Sequence, residues 1–176
     1  MDKLILDSPS IERSIARMSH EILEKNKGIE DLVLVGIQTR GVILATRLQK
    51  VIESIASLRC PLGALDINLY RDDLTKVSEQ PIVRKTEISF DLDNKTVVLV
   101  DDVLYTGRTI RCALDALIDL GRPRRIELAV LIDRGHRELP IRADFVGKNI
   151  PTNENEIVNV KFAETDSIDE VMVAEQ

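Results

Sequence analysis

The amino-acid sequence predicts a single α/β domain, spanning residues 1–176, in which helices flank a mostly parallel twisted sheet. Two runs of aliphatic residues, at 32–37 and 97–100, show the continuous apolar pattern of strands that are buried on both faces. Each run passes through a short polar loop into a segment of helical periodicity, the element order of open α/β sheets. A length of 176 residues with 44% hydrophobic content suffices for one well-buried domain and is small for two.

Charge and composition exclude several classes of protein. The net charge of −6 and the isoelectric point near 5.1 argue against broad electrostatic binding to nucleic acid and leave room for a local basic face. Cys60 and Cys112 lie in separate apolar segments, which indicates buried thiols in a reducing compartment. Because no apolar run approaches the roughly 18 residues of a membrane span and Met1-Asp2-Lys3 does not open a signal peptide, we expect a cytoplasmic protein without membrane segments.

The first helix is predicted to begin at Ser8, an N-cap residue followed by Pro9, and to end at Lys27-Gly28. One face carries an apolar stripe formed by Ile11, Ile15, Met18 and Ile22. Another face carries a short basic line at positions i, i+4 and i+7, formed by Arg13, Arg17 and His20. A solvated helix face is the simpler explanation of this basic line.

A polar loop, Gln38-Thr39-Arg40-Gly41, follows the strand at 32–37. The helix after it is predicted to turn one apolar face inward, formed by Leu44, Ala45, Leu48, Val51, Ile52 and Ile55. Gly36 and Gly41 have the glycine spacing of a Walker A loop, but Val42-Ile43 stand where lysine and serine or threonine are required. The pattern therefore predicts a strand-to-helix anion loop that carries the guanidinium of Arg40, and it does not support an ATP-hydrolysing P-loop.

The next segment has the pattern of a long charged hairpin. Residues 62–70 alternate between apolar and polar and predict a strand, and residues 83–90 predict a returning strand. The stretch 71–81 between them is polar and ends in proline. In a compact domain such a segment is more often functional than decorative, and a plain exposed hairpin is the alternative.

The stretch at 97–109 is the most informative in the chain. Its strand ends in the carboxylates of Asp101 and Asp102, and three residues then link this acid pair to Thr106-Gly107-Arg108-Thr109 at the start of a helix. Gly107 lets the backbone approach an anion, threonine hydroxyls add donors, and the first helical turn directs its N–H groups to the same place. Together these groups suit a sugar phosphate. The alternative is an ordinary polar strand end, with Thr109 as a helix cap.

The remainder of the chain is predicted in less detail. Gly121 and Pro123 are expected to end the helix, and residues 125–133 to form the next strand. The segment 133–152 is basic, contains two prolines and is predicted to be rich in loops. A last short strand at 157–162 is expected to precede an acidic tail.

Residues 97–109 resemble the 5-phosphoribosyl-1-pyrophosphate (PRPP) signature of type I phosphoribosyltransferases. The resemblance implies that Asp101 and Asp102 hold the ribose hydroxyls and that residues 106–109 wrap the 5′-phosphate. The whole motif is implied in substrate binding, in chain order Asp101, Asp102, Val103, Leu104, Tyr105, Thr106, Gly107, Arg108 and Thr109.

The same resemblance extends to two other segments. It matches Thr39, Arg40 and Gly41 to the pyrophosphate loop of the family, so Arg40 joins the acid pair as a candidate for catalysis. It also matches residues 71–85 to a mobile loop that closes over PRPP.

With residues 134–152 included, nearly the whole chain resembles the pyrimidine operon regulatory protein family (PyrR). Members of that family are RNA-binding attenuators with uracil phosphoribosyltransferase activity. The resemblance implies a small hood, formed by the N-terminal segment and roughly residues 134–165, from which Val158 gives main-chain contacts to the base. It implies that Arg134 lies near the pyrophosphate side of the substrate.

The partners implied by this resemblance are PRPP, uracil, UMP and a messenger RNA leader, in a homodimer or higher homo-oligomer. Mg²⁺ would bind mainly through PRPP, because the sequence offers no His/Cys cluster for a protein-only metal site. The implied RNA-binding residues come from the first helix and the later basic loop, namely Arg13, Arg17, His20, His136, Arg137, Arg142 and Lys148.

Two alternatives to this bifunctional protein stay open at the level of sequence. The first is an enzyme that uses the same chemistry on a purine or on orotate and does not bind RNA. The second is a regulator that senses nucleotides with negligible turnover. The intact Arg40, Asp101, Asp102 and Arg134 disfavour the second, and the basic residues of the first helix and of 134–148 disfavour the first.

Overall fold

The computed structural model describes residues 2–68 and 86–176. Its elements, in chain order, are β1 (Lys3–Leu6), α1 (Ser8–Asn26), β2 (Leu32–Ile37), α2 (Arg40–Ala56), β3 (Leu62–Leu65), β4 (Thr96–Leu104), α3 (Arg108–Leu120), β5 (Arg125–Asp133), β6 (Phe145–Asn149), β7 (Glu156–Lys161), α4 (Ala163–Asp166) and β8 (Glu170–Glu175). Within the described ranges, no helix is long and apolar enough to cross a membrane.

The main sheet has five parallel strands in the order β3-β2-β4-β5-β6. Alternate residues of β4 enter two cores: Val98 and Val100 pack with α1 and α2 on one face, and Val97 and Leu99 pack with α3 on the other. This two-sided burial explains why β2 and β4 are continuous aliphatic runs. The predicted α/β fold with a parallel sheet and flanking helices is confirmed.

The sheet topology fixes the position of the main cleft. After β2 the chain crosses to β3 on one side, and after β4 it crosses to β5 on the other side. Strand order therefore reverses between β2 and β4, and the loops at their carboxyl ends open a crevice there. The loop that contains Arg40 and the acid pair at Asp101 and Asp102 lie at this point.

A second, antiparallel sheet in the order β1-β8-β7 forms the hood and brings together both ends of the described chain. The expected acidic tail is wrong for residues 170–175, because this segment forms the central strand β8. Val171 and Val173 are buried there, while Met172 between them is partly exposed. The hood therefore extends past residue 165, the predicted limit.

The ends of two predicted helices are corrected by the structure. The N-cap of α1 is Asp7 rather than Ser8, and the Ser10 N–H donates to the Asp7 carboxylate at 3.0 Å. Ile55, expected to point inward from α2, is 40% exposed because α2 is in its last turn there. α1 ends at Lys27-Gly28 and α3 ends at Gly121, as predicted.

Two further segments differ from the sequence prediction. Residues 145–149, placed in a loop-rich region, form β6 at the edge of the main sheet and pair with β5. The strand predicted at 62–70 ends at Leu65, and an isolated antiparallel bridge joins Ala64 to Glu87. The hairpin tip and the proposed mobile loop at 71–85 lie outside the described residues.

Candidate active site

The main cleft lies at the carboxyl edge of β2, β3 and β4 and has a volume of about 370 Å³. Gln38 and Thr39 line it from the loop after β2, and Asp66 lines it from the end of β3. The acid pair closes it from β4, and Thr109 contributes from the first turn of α3. Polar groups from four consecutive segments therefore face one crevice.

Two glycines make this close arrangement possible. A Cβ at Gly36 would lie 2.5 Å from the Val42 Cα, and a Cβ at Gly41 would lie 2.5 Å from the Val100 carbonyl oxygen. Both contacts are with backbone, so a larger residue at Gly36 would push the start of α2 away from β2, and one at Gly41 would push it away from β4. Gly41 thus allows close packing of this loop against the strand that carries the acid pair, and Gly36 allows the loop to turn tightly against its own strand.

The two carboxylates of the acid pair differ in environment. Asp101 is 7% exposed and Asp102 is partly exposed to the cleft. The Asp102 N–H donates to Asp101 at 2.9 Å, and the Val103 N–H donates to Asp102 at 2.9 Å. Burial, followed by the neighbouring charge of Asp102, raises the pKa of Asp101 well above its usual value. Asp102 is thus the acceptor most open to a ligand hydroxyl.

The loop after the acid pair has the geometry of an anion cradle. Gly107 has φ +93° and is the N-cap residue of α3, a left-handed conformation that glycine adopts without strain. The Thr106 hydroxyl accepts from the Arg108 N–H at 3.3 Å, which curls the loop around the helix N-terminus. Leu104 anchors the loop in the core, with 1% of its surface exposed. The N–H groups of the first turn are thereby directed outward.

A segment after β5 braces this cradle. Arg137 donates from Nη1 to the Tyr105 carbonyl at 2.7 Å, from Nε to the Ile141 carbonyl at 2.8 Å, and from Nη2 to Asp133 at 2.7 Å. The Glu138 N–H donates to the Thr106 carbonyl at 2.9 Å. The planar guanidinium fork thus joins the loop after β4 to the end of β5.

A second cavity, of about 270 Å³, lies between the main sheet and the hood. Arg40 and Asp102 line it from the main domain, and Val158 and Asp166 line it from the hood. Arg40 donates from Nη2 to Asp166 at 2.8 Å, whereas its Nε is buried and has no acceptor among the described residues. Asp102 borders both cavities, so it lies where their contents would meet.

Comparison with known proteins identifies the family. The family model described as phosphoribosyl transferase domain matches residues 3–165. Bifunctional protein PyrR of Thermoanaerobacter sp. (strain X514) is 60% identical over 172 residues, which are 98% of this chain and 97% of that protein. Bifunctional protein PyrR of Halalkalibacterium halodurans is 57% identical over 178 residues, covering 100% of this chain and 99% of the relative. The chain belongs to the phosphoribosyltransferase family, among the PyrR proteins.

Solved structures of phosphoribosyltransferases share the fold. The hypoxanthine phosphoribosyltransferase of Trypanosoma cruzi superimposes with a TM-score of 0.74 at 19% identity, covering 98% of this chain and 96% of that one. A hypoxanthine phosphoribosyltransferase from Staphylococcus aureus gives a TM-score of 0.73 at 21% identity, covering 99% and 91%. The predicted family, the type I phosphoribosyltransferase fold and the predicted enzyme class are confirmed.

Arg134 connects the phosphoribosyltransferase core to the PyrR hood. It is 7% exposed and donates to the carbonyls of Asn153 and Glu156 at 3.2 and 2.7 Å. Its guanidinium lies 3.9 Å from the centre of the Tyr105 ring. These contacts join Arg134 to the segment that leads into the hood and to Tyr105, and its place on the pyrophosphate side of the substrate stays a prediction.

The predicted RNA-binding residues of this PyrR protein fall into two groups. Arg17 on α1 donates to the carbonyls of Val146 and Gly147 in β6, next to the exposed Lys148. Arg13 and His20 are exposed on the same helix.

The second group lies near the cleft. His136 contacts the Thr152 carbonyl at 2.6 Å, and its ring lies edge-on to Tyr105. Arg137 braces the cradle, and Arg142 is exposed a few residues further on. The sequence prediction missed the bracing role of Arg137 and the ion pair between Arg40 and Asp166, since only the fold reveals which acceptors these guanidinium groups reach.

Proposed function

We propose that this chain transfers the phosphoribosyl group of PRPP to uracil, and that it also binds a messenger RNA leader when UMP is present. The observation that carries the proposal is the meeting of three groups at one sheet edge: the acid pair, the cradle at Gly107 and the guanidinium of Arg40. The acid pair suits a ribose diol, the cradle suits a 5′-phosphate, and the guanidinium of Arg40 suits a diphosphate. The PyrR relatives are named bifunctional, which supports two activities in one chain.

The reaction follows from these partners. The bond between C1′ of the ribose and the pyrophosphate oxygen breaks, a bond forms between C1′ and N1 of uracil, and the N1 proton is released to water. The electron pair of the broken bond leaves with pyrophosphate, so positive charge develops at C1′, as in glycosyl transfer generally. Asp101 and Asp102 accept hydrogen bonds from the ribose hydroxyls beside this charge, and Arg40 balances the departing diphosphate.

Magnesium fits this site as a partner of the substrate. Asp66, Asp101 and Asp102 offer hard oxygen ligands along one cleft. In the part of the chain that the structure describes, no group of three or more His, Cys, Asp or Glu side chains could hold a metal alone. Mg²⁺ commonly binds through one or two carboxylates, waters and phosphate oxygens. Bound with PRPP, it would supply charge neutralisation at the diphosphate, and the acid pair would hold it.

The hood supports recognition of the base through main-chain groups. β7 is an edge strand of the hood sheet, with β8 on one side, so alternate main-chain groups of its other side are available to a ligand. Val158 lies on this strand and lines the second cavity with Arg40 and Asp102. Uracil bound there would present N3–H and two carbonyl oxygens to backbone acceptors and donors.

The RNA activity rests on the basic group of α1 and β6. Arg13, Arg17, His20 and Lys148 are exposed, and the contact between Arg17 and β6 brings the strand of Lys148 next to α1. A homodimer would join two such groups into a larger surface. Sequence-specific RNA recognition favours loops and bulges over regular duplex, so we expect the leader RNA to be bound at such a site. Binding of messenger RNA also implies that the protein works in the cytoplasm.

The test is PRPP turnover with uracil, orotate, hypoxanthine and adenine measured side by side. We expect turnover with uracil at least tenfold faster than with each other base. Faster turnover with a purine or orotate would replace the proposed substrate, and no turnover with any of the four would favour a regulator that only senses nucleotides. Filter binding of a pyrimidine-gene leader RNA, with and without UMP, tests the second activity, and we expect UMP to tighten binding.

A further inference from the structure

The ion pair between Arg40 and Asp166 connects the loop after β2 to the hood. The two side chains meet at 2.8 Å, and they are 39% and 21% exposed. Both border the second cavity, together with Asp102. Arg40 is also the group proposed above to bind the diphosphate, so its guanidinium has an anion of the protein itself as a partner.

Arg40 is incompletely satisfied in this arrangement. Its Nη2 donates to Asp166, but its Nε is buried without an acceptor among the described residues. An unpaired buried donor is destabilising, because the N–H group has lost its hydrogen bond to water and has gained none from the protein. A movement of the guanidinium toward a multivalent anion would therefore satisfy a donor that the contact with Asp166 leaves unpaired.

Asp166 does not depend on Arg40 for its own hydrogen bonds. Its Oδ2 accepts from the Phe162 N–H at 2.9 Å and from the Thr165 hydroxyl at 2.9 Å, while Oδ1 receives Arg40. The bond from the Phe162 N–H is the main cause that lowers the pKa of Asp166, so its carboxylate is ionised at neutral pH. Asp166 can thus release Arg40 and keep its other partners.

The hood has a second attachment that does not involve Arg40. Arg47 on α2 donates to Glu164 at 2.9 Å and to Asp169 at 3.0 Å, and its guanidinium lies 4.8 Å from the centre of the Phe162 ring. These contacts hold α4 against α2 whether or not Arg40 is paired with Asp166. An exchange of partners at Arg40 is therefore local.

We propose that Asp166 is an internal competitor for Arg40, which the diphosphate of the substrate must displace, and that it thereby sets how tightly this site holds diphosphate. The inference rests on the proposed function in one respect, the assignment of Arg40 to the diphosphate. Re-formation of the pair would favour release of pyrophosphate after the reaction, since the guanidinium would not be left without an anion.

The test is binding of inorganic pyrophosphate, in the presence of Mg²⁺, measured by isothermal titration calorimetry on the full chain. In Asp166→Asn the amide oxygen can accept from the Phe162 N–H and the Thr165 hydroxyl, which turns the NH₂ group toward Arg40 and removes the competing anion. We expect the dissociation constant to fall about two- to fivefold, the range that loss of a partly exposed ion pair corresponds to. Glu164→Gln is the matched control. Glu164 lies in the same short helix as Asp166, and its substitution weakens an ion pair to Arg47 on α2. We expect this variant to bind pyrophosphate with the wild-type dissociation constant.

The outcomes separate this inference from the proposed function. Unchanged or weaker binding in Asp166→Asn overturns the competitor role, as does equal tightening in Glu164→Gln, which would point to general loosening of the hood. No measurable binding to any variant overturns it as well. Uracil turnover by the wild type decides the proposed function separately, because the calorimetric experiment contains neither uracil nor PRPP. Thermal unfolding of each variant checks that the hood remains folded.

Discussion

Arg137 offers a sharp test of how the phosphate cradle is held. Its guanidinium reaches three acceptors at 2.7–2.8 Å, two of which are the carbonyls of Tyr105 and Ile141. In Arg137→Lys the positive charge is kept, but a single ammonium on a flexible stem reaches only one of the three. The variant therefore removes the brace of the loop without removing the local charge.

The magnitude follows from the hydrogen bonds lost. Two bonds at about 0.5–1.5 kcal/mol each amount to about 1–3 kcal/mol. At about 1.4 kcal/mol for each factor of ten, this corresponds to roughly 5- to 140-fold in affinity. Because the Arg137 side chain is 23% exposed and water replaces part of the loss, we expect the KM for PRPP to rise about tenfold. The kcat should change less, since the acid pair is not touched.

The assay is steady-state turnover of uracil at varied PRPP, with Arg122→Lys as the control. Arg122 is exposed beyond the end of α3, at the opposite edge of the sheet. The KM of Arg122→Lys for PRPP should therefore match that of the wild type. A wild-type KM in Arg137→Lys would refute the bracing role. Arg137 would then remain only a candidate for RNA binding. RNA binding is better tested on Arg13, whose hydrogen bond to Ser10 stays within α1, since loss of Arg137 or Arg17 also disturbs hydrogen bonds to other segments.

Of the four other predictions, two concern the acid pair, one the base and one the RNA surface. Asp102→Asn should lower turnover on the order of 10²-fold with little change in unfolding free energy, as loss of a charge beside a developing cation does. Burial raises the pKa of Asp101, so wild-type stability should fall as pH rises from the usual aspartate pKa of about 3.9 toward the raised value, and Asp101→Asn should flatten this slope in urea unfolding between pH 4 and 8. Cytosine should bind roughly 1–3 kcal/mol more weakly than uracil in competition assays, because an amine replaces a carbonyl that accepts a hydrogen bond. Arg13→Ala should weaken RNA binding and lower the salt slope by about 0.7 in filter assays, with unchanged uracil turnover. An unaltered slope would leave α1 with an ordinary solvated face.

Segments whose structure is decided locally were predicted well from the sequence. β2 and β5 run over the residues predicted for them, because β2 is a continuous apolar run and β5 contains the apolar run 128–132 after the turn residues Gly121 and Pro123. The acid pair and the loop at 38–41 also lie at one sheet edge as expected, since parallel strands end at the same edge. Roles of individual site residues stay predictions.

Segments that depend on distant partners were missed. β1 and β8 are short and half exposed, and they pair with each other across almost the whole length of the chain. Both carry charged residues only at their ends, so the sequence does not show which of their side chains are buried until the partner strand is known. The contacts of Arg137 and Asp166 could not be predicted for the same reason, because tertiary packing decides which hydrogen-bond partners a side chain reaches.

The pairing of the first strand with the last affects how this protein can be shortened. Lys3 lies opposite Val173, and β8 also pairs with β7, the strand that carries Val158. Removal of residues 170–175 would leave β1 and β7 without their shared neighbour and would take Val171 and Val173 out of the buried cluster that contains Phe162. Terminal residues are usually the most dispensable part of a domain. Here a truncation at either end would be transmitted directly to the wall of the second cavity.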